Sequence, residues 1–395
     1  MRLLLQEMKK IWNPVIVIII MVFGLIYYVL FSSFYIQYYI NGSENQAAFD
    51  LASEWSQKYE NTLEYDEYEE IVQQLEDEKL QFADQLKDIP LAVDNSITTY
   101  EEFRAFENEY FDRISDGKVE PDTERTKWTI INNSNLFRIQ SIEQTIRDYK
   151  LKSEHNLSDF FNGEHTDAEE ERLIELNQSA IKFGYIPSGI LDSTTGLTIS
   201  FMIWVMISVI ILLSPTIVRD RLNRIQNLQF SSFTGRKILF AQIKASLASA
   251  AILTVLNCLI YGVLLISKGA LVLKDFYLYS HDYVPWFDWT YGTYLLVLAG
   301  MALIVGMMTG GFTVFLSRYS RNYIGMLIKS VLLLGVLIFT FSMLPIVTRP
   351  FFMFNLMSLR IRVKGIEFIL LGALALCSVL VIGIALVRQR HKELS

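Results

Sequence analysis

The stretch Val218–Lys244, VRDRLNRIQNLQFSSFTGRKILFAQIK, lies between two long apolar runs and decides how the rest of the chain is read. It carries six basic residues (Arg219, Arg221, Arg224, Arg236, Lys237, Lys244) against one acid, Asp220. A short basic loop between two membrane spans belongs on the cytoplasmic side. Its middle reads as helix, turn, helix with Gly235 at the break. Such a loop under a membrane bundle suits a docking surface for a cytosolic partner.

Outward from this loop, the apolar runs multiply. The chain is 52% hydrophobic and only 19% charged, too apolar for an ordinary soluble protein. Charge-free runs long enough to cross about 30 Å of hydrocarbon lie at 11–40, 193–218, 245–267, 289–317, 330–348 and 368–387. Six transmembrane helices are therefore expected, with Lys329 near the inner end of the fifth, snorkelling to the headgroups. Arg2, Lys9 and Lys10 before the first span place the N-terminus inside, and Arg318, Arg321, Arg388, Arg390 and Lys392 agree. The 348–367 loop disagrees, being external on this count yet basic, and a short surface-dipping helix is an alternative for it. The first run is about twice the length of a signal-peptide core and lacks a small-residue cleavage site, so it reads as an uncleaved anchor.

The net charge of −7 hides an asymmetry: residues 39–195 hold 35 acids and 14 bases, net −21. The two cysteines, Cys258 and Cys377, fall inside spans, so an external domain would be held by its core and not by disulfides. That absence favours a Gram-positive envelope.

The fold class expected is all-α: a six-helix transmembrane bundle, an inserted extracellular helical domain and an N-terminal interfacial helix. The boundaries are 1–12 for the cytoplasmic interfacial helix, 13–40 for the first span, 41–192 for the extracellular domain, 193–218 for the second span, 219–244 for the cytoplasmic loop, 245–388 for spans three to six, and 389–395 for a cytoplasmic tail. In the first segment Leu4, Met8, Ile11 and Trp12 share a face, with Arg2, Glu7, Lys9 and Lys10 on the other. In the domain, Tyr65, Tyr68, Val72, Leu75, Lys79, Phe82, Leu86 and Ile89 form a heptad stripe interrupted once, at Lys79, and ended by Pro90. Tyr100, Phe103, Phe106, Tyr110 and Ile114 mark a second helix. Leu136, Ile139, Ile142, Ile146 and Tyr149 mark a third, and Thr166-Asp-Ala-Glu169 is a capping box opening a fourth. A helix over about 45–60 precedes them, and Lys127–Ile131 is ambiguous between helix and strand. From Phe276 to Tyr291 eight of sixteen residues are aromatic, which suits a water–lipid boundary; a surface lining a substrate path is the alternative. Gly306 and Gly310 form a small-xxx-small pair for close packing within the bundle, or at a subunit interface.

No catalytic constellation, metal spacing or phosphate loop appears, so no catalytic residue, metal or cofactor is assigned to this chain. The spans hold almost no ionisable residue, which argues against a proton-driven transporter and for energy supplied by another subunit. Nucleic acid is not expected as a partner; the lipid bilayer is.

Together these features resemble the permease subunit of type-2 ABC exporters, a resemblance that covers nearly the whole chain. In that family the loop between spans two and three has an acidic helix start, a Leu-Leu-x-Ser-x-Pro-x-Ser-Arg turn and a Lys-containing start of the next span. Here Leu228-Gln-Phe-Ser-Ser-Phe-Thr-Gly-Arg-Lys stands in its place. Arg219, Arg221 and Arg224 replace the acidic start, and Phe233 replaces the proline. The resemblance implies a coupling helix gripped by a cytosolic ABC ATP-binding subunit that holds ATP and Mg, with a second permease copy as homodimer or related heterodimer. Arg224, Phe230, Ser231, Ser232, Phe233, Thr234, Gly235, Arg236 and Lys237 are the residues it would grip. Phe230 and Phe233 suit an apolar slot, and Arg236 and Lys237 an acidic rim. The charge of −21 suggests a cationic or antimicrobial peptide as cargo. Efflux of sodium or a small drug, or a non-transporting sensor with an extracellular helical ligand-binding domain, are the alternatives.

Overall fold

The computed structural model describes residues 2–115, 117, 121–160, 166–223, 235–279, 284–343 and 363–392. Among the described residues every regular element is a helix. In chain order the α-helices are α1 (Arg2–Ile11), α2 (Pro14–Tyr27), α3 (Ser33–Gln37), α4 (Gly42–Lys58), α5 (Tyr65–Leu86), α6 (Pro90–Asp94), α7 (Tyr100–Ser115) and α8 (Pro121–Asn132). They continue as α9 (Leu136–Glu154), α10 (Asp167–Asn177), α11 (Ser188–Leu222), α12 (Gly235–Ser267), α13 (Tyr291–Arg318), α14 (Tyr323–Met343) and α15 (Ile366–Lys392). The chain divides into two compact units. One comprises Met1–Tyr39, Leu191–Lys274 and Pro285–Ser395; the other comprises Ile40–Ile190 and Asp275–Val284.

In the first unit, six helices are long and apolar enough to cross a membrane: Pro14–Gln37, Ser188–Leu222, Ile238–Ser267, Tyr291–Arg318, Tyr323–Thr340 and Ile366–Arg388. Helices that satisfy their backbone internally are one of the few ways a chain can lie in hydrocarbon. The first span starts where Asn13 Oδ1 accepts from Val15 N at 2.9 Å, with Pro14 in the position where a missing N–H costs nothing. It contains one π-helical turn, Tyr28–Ser32, between α2 and α3. Such turns re-aim the side chains that follow them. Ser32 Oγ here lies 2.8 Å from both Ser200 Oγ and Tyr261 Oη.

The glycines of the fourth span, α13, pack inside this bundle. A Cβ on Gly306 would collide with Thr254 Oγ1 of α12, and one on Gly310 would lie 3.0 Å from Ala250 Cβ of the same helix. Gly311 meets Ser378 of α15, whereas Gly300 faces open space. Lys329 Nζ donates to the Tyr319 carbonyl at 2.9 Å, at the C-terminal end of α13. Of the disputed loop 348–367, residues 348–362 lie outside the described residues.

The second unit is built on a core of Leu51, Trp55, Ile71, Leu75, Phe82, Phe103, Ile130, Leu136, Ile139 and their neighbours. The stripe on α5 is buried at Leu75, Phe82 and Leu86, while Val72 is only half-buried, Tyr65 is exposed, and Ile71, outside the expected stripe, is buried in place of Val72. At its interruption the Lys79 ammonium lies over the Tyr100 ring at 5.5 Å and pairs with Glu76 at 3.2 Å, while the neighbouring Glu78 pairs with Arg138 and accepts from Asn135 Nδ2 at 2.6 Å. Pro90 opens a short helix rather than ending the previous one, which stops at Leu86. Residues 127–131 are helical, inside α8. The capping box at Thr166 is formed, with Thr166 N donating to Glu169 Oε2 at 2.7 Å and Glu169 N to Thr166 Oγ1 at 3.3 Å. Glu102 caps the start of α7 by accepting from Thr98 Oγ1 and Thr98 N, each at 2.7 Å, and Thr99 N at 3.1 Å; the hydroxyl bond first, then the backbone bonds, hold its carboxyl below the usual range.

The aromatic-rich segment is no simple boundary belt. Phe276 and Tyr279 are 1% and 2% exposed within the second unit, where Phe276 meets Tyr185 edge-on at 5.0 Å. In the first unit Phe287 stacks on Trp289 at 4.4 Å, and both meet Phe368 of α15 edge-on.

Candidate coupling site

Of the loop residues singled out above, Arg224, Phe230, Ser231, Ser232, Phe233 and Thr234 lie outside the described residues. Gly235, Arg236 and Lys237 form the first turn of α12. What the structure describes is the root from which the loop hangs: the last turn of α11 and the opening turns of α12.

Asp220, in the last turn of α11, is 2% exposed. Gln242 Nε2 of α12 donates to its Oδ2 at 2.9 Å, and Lys10 Nζ of α1 stands 3.9 Å away. Lys10 also pairs with Glu7 at 2.6 Å, and Arg219 Nη2 donates to the Lys10 carbonyl at 3.1 Å. Three helices meet on one buried carboxylate. A desolvated acid demands such partners, because leaving it unpaired costs several kcal/mol.

The next residue turns the other way. Arg221 Nη1 donates to the Ser320 carbonyl at 2.6 Å, and Nη2 donates to the Arg318 carbonyl. These carbonyls lie at and just beyond the C-terminal end of α13, where helical oxygens lack intrahelical donors and a cation is favoured. Ser317 Oγ of α13 donates to the Ser214 carbonyl of α11 at 3.0 Å. Asp220 and Arg221, adjacent in sequence, thus tie the second span to α1 and α12 on one side and to α13 on the other.

The face that α1 turns inward is not purely apolar, as its pattern suggested. Glu7 is 3% exposed beside Ile11 at 1%, and among the described residues Glu7 Oε2 has no hydrogen-bond partner. Trp12 Nε1 donates to Ser249 Oγ of α12 at 3.1 Å, fixing α1 along the third span. The sequence signal for this clasp was the lone acid in a basic loop; its partners, Lys10 and Gln242, carried none.

Farther along the spans the polar groups are neutral. Trp204 Nε1 donates to Asn257 Oδ1, and Asn257 Nδ2 to Ser208 Oγ, both at 3.1 Å. Thr194 and Tyr291 hydroxyls lie 2.7 Å apart, and Tyr39 completes the trio. These bonds join spans one to four without charge. Among the described residues no group of His, Cys, Asp and Glu is placed to hold a metal ion.

The pattern of a known family, described as ABC-2 family transporter protein, matches residues 11–387. No curated protein and no solved structure gives a significant match.

Proposed function

Because this chain belongs to the ABC-2 family of transporter proteins, we propose that loop 219–244 is gripped by a separate cytosolic ATP-binding subunit whose closure drives export. The chain itself is a multi-pass membrane permease of an ABC transporter. ATP and Mg reside on the partner, and two permease copies, or this chain with a related one, complete the working unit.

The observation that carries the reading is the double tie at the root of the loop. Gln242 and Lys10 meet on Asp220 while Arg221 holds the end of α13. A push on the loop at this point is received by four helices at once, because buried hydrogen-bonded pairs resist separation. Phe230 and Phe233 serve as the apolar anchors in the partner's slot, with Arg236 and Lys237 on its acidic rim. The double variant Phe230→Ala, Phe233→Ala should insert into membranes normally yet reduce stimulation of the co-expressed ATPase to the basal rate. Undiminished stimulation would remove the coupling role.

The cargo in this reading is a cationic amphipathic peptide, supported by the charge of −21 over residues 39–195, which concentrates cations near an extracellular insertion. Removal of residues 45–190 should lower peptide resistance in cells. Equal resistance with and without them would count against this cargo.

A further inference from the structure

The helical insertion contains a cleft of about 420 Å³ between α4, α9 and the segment 183–188, within the size range of small-ligand sites. Leu51, Trp55 and Leu63 give it an apolar floor, and Tyr149 and Tyr185 line its walls. Lys152 of α9 also lines it and is only 7% exposed. The Lys152 ammonium lies over the Tyr279 ring at 4.7 Å, and among the described residues it forms no ion pair. Asp148, one turn earlier on α9, is engaged by Gln144 Nε2 at 3.0 Å.

A buried amine without a carboxylate is costly. Burial pushes the Lys152 ammonium down to about 8, against an opposing pull from Asp148. At neutral pH it is still mostly charged, so the cleft holds one deeply buried cation that, among the described residues, has no ion pair. Three acids, Glu44, Glu143 and Asp148, share the lining with the exposed Arg104 and Arg147; Arg104 is already held by Glu107 at 2.5 Å, and the acids disfavour a multiply charged anion such as phosphate. They accept ammonium or guanidinium groups instead. The site therefore suits a ligand with one carboxylate, an apolar side chain beside it and a positive charge farther along.

We propose that this cleft binds the carboxyl-terminal end of a short, net-cationic peptide, with Lys152 taking the free carboxylate and Trp55, Tyr149 and Tyr185 holding the adjoining side chain. The assignment stands without the coupling role of the loop, because it is read by direct binding in the absence of any ATPase.

The test uses the full chain in lipid nanodiscs, titrated by calorimetry with the tripeptide Arg-Leu-Phe as free acid, with its C-terminal amide, and with free phenylalanine. The free acid should bind about ten-fold or more tightly than the amide, the loss expected when one charge-assisted pair is removed. Free phenylalanine should bind more weakly than the tripeptide. In Lys152→Gln the acid and the amide should bind alike. Equal binding of acid and amide by the wild-type chain overturns the proposal without recourse to any variant, as does absence of binding at millimolar peptide. Phenylalanine binding as tightly as the tripeptide overturns the peptide assignment in favour of an amino acid.

Discussion

Two lysines of the helical insertion are almost equally buried, Lys127 at 6% and Lys152 at 7% exposed, yet their surroundings differ in kind. Lys127 Nζ has Glu107 at 3.3 Å and lies over the Phe111 ring at 3.9 Å, while Glu107 also takes Arg104 at 2.5 Å. Lys152 has the Tyr279 face, and among the described residues no ion pair. The first site completes its own electrostatics and is explained by packing alone. The second is left incomplete inside the fold, and a group held at such a cost is more at home in a binding site than in a core.

The largest effect should come from breaking the completed site. Glu107→Ala strands Lys127 in a buried position and should cost about 3–5 kcal/mol, read from denaturant unfolding of the insertion followed by Trp fluorescence. A loss under 1 kcal/mol would mean that the rings alone satisfy Lys127, and the contrast between the two lysines would fail.

The opposite sign is expected at the incomplete site. Lys152→Met removes an uncompensated cation and should stabilise the insertion at pH 7 by roughly 3 kcal/mol, the value of its pKa depression. The pH dependence follows from the same depression. Between about pH 8 and 10 the unfolded chain keeps the proton on this lysine and the folded chain does not, so stability rises with pH across that window. The groups facing Lys152 are Asp148 on α9 and Tyr279 opposite, with Glu44, Glu143, Arg104, Arg147, Tyr149 and Tyr185 around the cleft. Burial raises the Tyr185 and Tyr279 hydroxyls above the phenol range, so they keep their protons throughout it. Lys152→Met should flatten the rise, and an unchanged slope would assign it to another group.

A smaller cost is expected at the root of the loop, where Lys10 keeps 35% side-chain exposure and water shares the work. Gln242→Leu deprives Asp220 of its hydrogen bond and should cost about 1–3 kcal/mol, with weaker stimulation of the partner ATPase. Stimulation at the wild-type level would separate the clasp from coupling. The exposed pair Lys87–Asp84, 2.7 Å apart, sets the lower limit. Lys87→Ala should leave the melting temperature unchanged, as exposed pairs of this kind rarely contribute measurably.

Much of this architecture was legible in the residues. The run 193–218 had to be a span because hydrocarbon admits a backbone only when its hydrogen bonds close internally, and Thr166 with Glu169 announced a helix start because both capping bonds are local. Short-range rules also explain the misreadings. Ile130 and Ile131, in a run ambiguous between helix and strand, lie in α8, which buries both against the core, because tertiary packing decides where propensity is weak. Glu7 was placed on the wet face by charge, yet it is buried beside Ile11 and pairs with Lys10.

The sequence by itself determined the six apolar helices, the acidic insertion between the first two of them and the basic connector between the second and third. Each of these follows from transfer energies summed over neighbouring residues. Only the tertiary structure decided that Asp220 would meet Gln242 and Lys10, that Ser32 would meet Tyr261, and that Lys152 would lie over the Tyr279 ring with, among the described residues, no ion pair. Those pairings join residues far apart along the chain, and local periodicity carries no record of which distant side chains a fold brings together.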